Sequence, residues 1–159
     1  MSFLSFSALA LLSFSGIFLG GFLAIKVREE MKTGSKFFPV MQSIIFLFAV
    51  SVSMYQFMLP IVFRIGVYAL IILMLSVTRQ ALYPILAVLL ALSSASPAHL
   101  FLLSSLIFLY GFPAGSMLVY TRGLHSYRQA TTAIVVANLS FVPIAAISYF
   151  LLTFLKALG

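Results

Sequence analysis

Residues 3–25 read FLSFSALALLSFSGIFLGGFLAI, an apolar run without a single charged side chain. A straight helical crossing of a bilayer takes about 20 such residues. In hydrocarbon every backbone N–H and C=O must be satisfied within the protein, and a helix does this inside one segment. The run therefore predicts a membrane-spanning α-helix. It departs from a cleaved leader because no Lys or Arg precedes it, its apolar stretch is longer than a leader core, and the first basic cluster follows it. Within it Gly16, Gly20 and Ala24 recur at four-residue steps, which puts them on one helix face where a second backbone can approach closely. Two partners fit that face: another helix of the same chain, or another subunit.

Working outward, residues 37–59, 100–120 and 130–155 are apolar runs of spanning length. Between the second and third long runs lie two shorter ones, residues 61–77 and 80–93, which as helices reach only about 26 and 21 Å. They either cross a thinned region or form a re-entrant hairpin. The chain reads as one transmembrane helical domain, residues 1–159. Its expected fold is an all-α polytopic bundle of six apolar segments in three hairpins, with the third and fourth segments short or re-entrant.

Composition excludes most soluble classes, since 64% of the 159 residues are hydrophobic and 7% charged. A soluble domain of this size needs far more polar surface. Nine Lys and Arg against two acids give a net charge of +7, yet the bases sit between apolar runs and read as topology signals, so no nucleic-acid partner is expected. Lys26, Arg28, Lys32 and Lys36 follow the first segment, Arg79 lies between the short pair, and Arg122 and Arg128 precede the last segment. With both termini outside, these seven bases fall in cytoplasmic connections, as the positive-inside rule requires. The expected location is the cell membrane, with multiple passes. Glu29 and Glu30 share the first basic loop, which reads either as a solvated loop of weak ion pairs or as a docking patch for anionic lipid at Lys26, Arg28, Lys32 and Lys36.

Few polar residues lie at membrane depth. Gln42, Ala49, Ser53 and Gln56 form a stripe on the second long segment, and Thr131, Asn138 and Ala145 form one on the last. Amides in lipid are costly unless hydrogen-bonded, so both stripes should face the interior, as interhelical hydrogen bonds or as ligand contacts. Tyr110-Gly111-Phe112-Pro113-Ala114-Gly115-Ser116 puts a proline and two glycines inside an apolar run. Pro113 removes a backbone donor, so the segment is either a packing kink or a broken helix lining a site, with Ser116 a candidate partner for the freed carbonyl. Pro143 poses the same question in the last segment. Arg64, flanked by apolar residues, either snorkels to the interface or points inward as an anion contact. His99 and His125 fall in connections on opposite sides.

The chain contains no Cys and no Asp, and its two carboxylates lie in a loop. That argues against thiolate chemistry, paired aspartates, carboxylate-held Mg²⁺ and an intramembrane carboxylate relay. HExxH is absent too. No enzyme activity, metal site or cofactor is expected.

At Glu29-Glu30-Met31-Lys32-Thr33-Gly34-Ser35-Lys36-Phe37-Phe38, and again at Leu109-Tyr110-Gly111-Phe112-Pro113-Ala114-Gly115-Ser116, the chain resembles small uncharacterised archaeal polytopic membrane proteins. The resemblance implies a prokaryotic cell-membrane protein and carries no activity with it. From the residues themselves the expected function is transport or conduction of a neutral or anionic small solute. Its site would lie at Gly111, Pro113, Gly115, Ser116, Asn138, Gln56 and Arg64, with Gly16, Gly20 and Ala24 packing helices. The alternative is a non-catalytic accessory or scaffold subunit. Either role admits a homo-oligomer or a membrane partner subunit.

Overall fold

A computed structural model describes residues 2–56, 61, 64–69 and 82–158. These are helical throughout apart from short connections, with no strand among the described residues. In chain order the helices are α1 (Phe3–Lys26), α2 (Arg28–Gly34), α3 (Phe38–Gln56), α4 (Leu82–Leu92), α5 (Pro97–Thr121), α6 (Tyr127–Asn138) and α7 (Phe141–Leu158). Residues 64–69 are helical as well. Among the described residues four stretches are long and apolar enough to cross a membrane: α1, α3, α5, and α6 taken together with α7. The molecule is thus a membrane-embedded helical protein. Of the two short runs expected from sequence, the second appears as α4 followed by a 3₁₀ turn, Ser93–Ala95. Most of the first, together with Arg79, lies outside the described residues.

Local chemistry explains where the helices start and stop. The Ser2 hydroxyl accepts the Ser5 amide at 3.3 Å and caps α1. The short α2 carries Glu29 and Glu30 in its first turn and Lys32 in its last, matching the helix dipole at both ends. Ser96, just before Pro97, is held extended as a pre-proline residue favours, and Pro97 then opens α5. The far end of α5 closes in a Schellman turn. Gly123 sits at φ 61° and donates to the Tyr120 carbonyl, Leu124 donates to Val119 at 3.1 Å, and Leu124 packs on the cluster containing Val119.

The last apolar run is not one helix. It is interrupted at Leu139–Ser140, where Pro143 lacks the N–H that would bond to the Leu139 carbonyl. At Pro113, by contrast, α5 runs on unbroken.

Contacts between helices fix their directions. Ser13 meets Ser104, Gly16 meets Phe108, and Gly20 meets Phe112, so α1 and α5 run parallel. A ladder of rings then sets α1 antiparallel to α6 and α7: Phe22 on Tyr127, Phe14 stacked on Phe141 at 5.6 Å, and Phe6 stacked on Tyr149 at 4.4 Å. Helix α4 packs against α7 and reaches the centre through Tyr83, whose ring touches Phe14, Tyr110 and Phe141. Tyr68 joins residues 64–69 to α3 by a 2.7 Å bond between its hydroxyl and that of Ser51.

Candidate functional site

Helix α5 presents two different faces, and the difference follows from side-chain size. One face is closed. Gly16 and Gly20 on α1 and Gly111 and Gly115 on α5 let the two backbones touch. A Cβ at Gly20 would lie 2.1 Å from the Phe112 carbonyl oxygen, and one at Gly115 would lie 1.9 Å from that of Ile17. Neither neighbour is a side chain that can swing away. Hydroxyls stitch the same seam: Ser13 and Ser104 share a 2.7 Å bond, and Ser116 donates to the Gly20 carbonyl at 2.8 Å. Beyond it, Ala24 is buried with Val119 and Ala130.

The opposite face of α5 is open. Tyr110, Ala114, Met117, Leu118 and Thr121 line a cavity of about 280 Å³ together with Ile17 of α1, Gln42 of α3, Tyr83 of α4, and Ala137 and Asn138 of α6. Arg122, at the C-cap of α5, stands on its rim. The polar groups come from several helices. Asn138 donates through Nδ2 to the Ile134 carbonyl at 3.1 Å, which leaves its side-chain oxygen as an acceptor. Among the described residues, Gln42, buried at 8% exposure, has no hydrogen bond, and the buried Tyr83 hydroxyl has no partner. A buried polar group left unbonded costs on the order of 1–3 kcal/mol, so these groups form a region of unspent hydrogen-bonding capacity within an otherwise apolar bundle.

Among the residues expected to form the site, Asn138 lines the cavity, while Gly111, Pro113, Gly115, Ser116 and Arg64 stand elsewhere. Gly111 and Gly115 back onto α1. Pro113 is buried within continuous α5, which corrects the broken-helix reading. Ser116 does not serve a carbonyl freed by Pro113; its hydroxyl crosses to α1 instead, since the glycines bring the Gly20 carbonyl within reach. Arg64 is half-buried in the 64–69 stretch and does not line the cavity. Gln56 ends α3, and its side-chain surroundings lie outside the described residues.

The polar stripes do turn inward at Gln42, Ser53 and Asn138. Their hydroxyls, however, bond within their own helices, Ser53 to the Ala49 carbonyl and Thr131 to that of Tyr127. Tyr83, Tyr110, Thr121 and Arg122 were not assigned to a site from sequence. The available signal was two tyrosines inside apolar runs, where a ring buries readily but its hydroxyl asks for a partner.

At the end of the bundle where α1 stops and α6 starts, the Arg28 guanidinium hydrogen-bonds the His125 imidazole. This contact ties the loop after α1 to the loop after α5. Lys26, Lys32 and Lys36 are exposed at the same loop. His99 is in the first turn of α5, a helix length from His125. No group of three or more His, Cys, Asp or Glu residues is placed to hold a metal among the described residues. No protein-family model, curated protein or solved structure matches this chain.

Proposed function

We propose that the protein recognises and conducts a small neutral or anionic solute, with the cavity beside α5 as its binding site. The observation that carries this reading is the convergence of Gln42, Tyr83, Tyr110 and Asn138, from four helices, on one space inside an apolar bundle. Ligand sites combine an apolar lining with a few placed polar groups, and here Ile17, Ala114, Met117 and Leu118 supply the first while the amides and tyrosines supply the second. Arg122 puts a permanent positive charge at the rim and favours an anion or a strongly dipolar solute. The only carboxylates, Glu29 and Glu30, are on α2, so recognition rests on amides, hydroxyls and a guanidinium.

In this reading the chain sits in a cell membrane with both termini outside and its basic loops inside. The parallel course of α1 and α5 fits the alternation of the basic connections, because the chain must return to its starting side between them. A full crossing pair or a re-entrant hairpin does so; a single merged crossing does not. The accessory-subunit reading loses its docking face, since α5 already covers Gly16, Gly20 and Ala24.

The test is flux into proteoliposomes, with urea and glycerol as neutral probes and formate and nitrate as anionic ones. Protein-containing vesicles should pass at least one probe faster than empty vesicles. Replacing Gln42 and Asn138 together by Leu should lower that flux at least tenfold while the protein stays folded. Flux no greater than that of empty vesicles for all four probes overturns the proposal.

A further inference from the structure

A second opening lies on the outer side of α6. It is a groove of about 440 Å³ lined by Arg122, Arg128, Gln129, Thr132, Ala133 and Val136. Gln129, Thr132, Ala133 and Val136 follow the i, i+3, i+4, i+7 spacing of one helix face, so the groove runs along α6 from a polar first turn to an apolar stretch. Val136, at the apolar end, is 69% exposed although it belongs to a membrane-spanning stretch.

Among the described residues the lining of the groove carries two guanidiniums and no carboxylate. Arg122 caps the end of α5 and Arg128 is in the first turn of α6, both exposed. Neither helix contains an acidic residue, and the chain's two carboxylates lie on α2. The Thr132 hydroxyl is committed to the Arg128 carbonyl at 3.0 Å, which leaves the two guanidiniums and the Gln129 amide as donors.

We propose that this groove binds an anionic phospholipid, with its phosphate between Arg122 and Arg128 and an acyl chain along Ala133 and Val136. Guanidinium forks match phosphate oxygens in geometry and charge. The two arginines stand where spanning helices end, at the depth of the headgroups of a surrounding bilayer. A free phosphate ion would account for the arginines but not for the apolar continuation of the groove toward Val136, whereas a lipid uses both ends. Arg122 also borders the inner cavity, but the lipid reading requires no solute to bind there, and Arg128, Ala133 and Val136 line the groove alone.

Native mass spectrometry of the full-length protein in detergent tests it, with dioleoylphosphatidylglycerol and dioleoylphosphatidylcholine titrated separately. Wild-type protein should take up one phosphatidylglycerol at concentrations at least tenfold below those needed for phosphatidylcholine. In R128Q that preference should fall by about fivefold and in R122Q/R128Q it should disappear, while K26Q/K32Q in the other basic loop should change it less than twofold. V136N, which leaves the guanidiniums in place, should weaken retention of the long-chain lipid without altering binding of inorganic phosphate. R128Q alone serves the same test if the double variant does not fold.

Unchanged phosphatidylglycerol binding in the arginine variants overturns the proposal. So does an equal loss in K26Q/K32Q, which would mean diffuse attraction to the whole basic end. Complete displacement of the lipid by millimolar inorganic phosphate also overturns it, in favour of a free-anion site.

Discussion

The two faces of α5 show how one helix can close a bundle on one side and hold it open on the other. Toward α1, Gly111 and Gly115 remove the side chains and leave backbone against backbone, with Ser116 adding a hydrogen bond. Toward α3, α4 and α6, Tyr110, Met117 and Leu118 hold the neighbouring helices away, and a polar cavity remains. In a membrane, lipid tails are as apolar as leucine, so helices gain little from apolar burial alone. Close packing and hydrogen bonds carry the association. The glycine seam is therefore the structural anchor, and the looser face leaves room for polar groups such as Gln42, Tyr83 and Asn138.

The largest expected effect comes from forcing side chains into the seam. Gly115→Leu puts atoms against the Ile17 carbonyl, which cannot move without separating the helices. It should cost at least the upper end of the roughly 1–3 kcal/mol seen for overpacking, visible as a large drop in the unfolding midpoint in detergent. If Gly115→Leu unfolds at the wild-type midpoint, the backbone contact is not the anchor and the contrast between the faces collapses.

Ser116→Ala removes one interhelical bond from the same seam. A loss of about 0.6–1.7 kcal/mol is expected, measured by denaturant titration. Tyr83→Phe on the cavity side should act in the opposite direction. Removing a buried hydroxyl that has no partner among the described residues should stabilise the empty protein by about 1 kcal/mol while lowering solute flux, and destabilisation would mean that the hydroxyl is already satisfied. The smallest effect belongs to His125→Ala at the exposed tie to Arg28. A change below about 0.5 kcal/mol is expected there, with the midpoint readout unable to separate it from wild type.

How far the site was legible in the sequence differs between these faces for a physical reason. Four-residue spacing of glycines marks a place where backbones can approach, and it is local information, readable at Gly16 and Gly20 and equally at Gly111 and Gly115. In the sequence the second pair reads as a solute contact, because Pro113 between them suggests a broken helix. Proline in a packed membrane helix instead leaves α5 continuous, and the glycines around it serve the seam. The cavity is different in kind. Gln42, Tyr83, Tyr110 and Asn138 have no common spacing, because each belongs to another helix, and only their juxtaposition makes a site.

Long apolar runs of about 20 residues, few charges and bases confined to connections call for membrane helices whatever their arrangement, because a helix satisfies its backbone polar groups within one segment. The face of α1 suited to close approach is equally plain in the spacing of Gly16, Gly20 and Ala24. That α5 covers this face in parallel, that the last run is interrupted at Leu139–Ser140, and that another side of α5 holds a polar cavity emerge from the packing of the helices. Those outcomes depend on which helices meet and at what depth, and apolar sequences of similar hydropathy do not encode that choice in any short window. It is made by the fit of small residues, rings and hydroxyls across helices far apart in the chain.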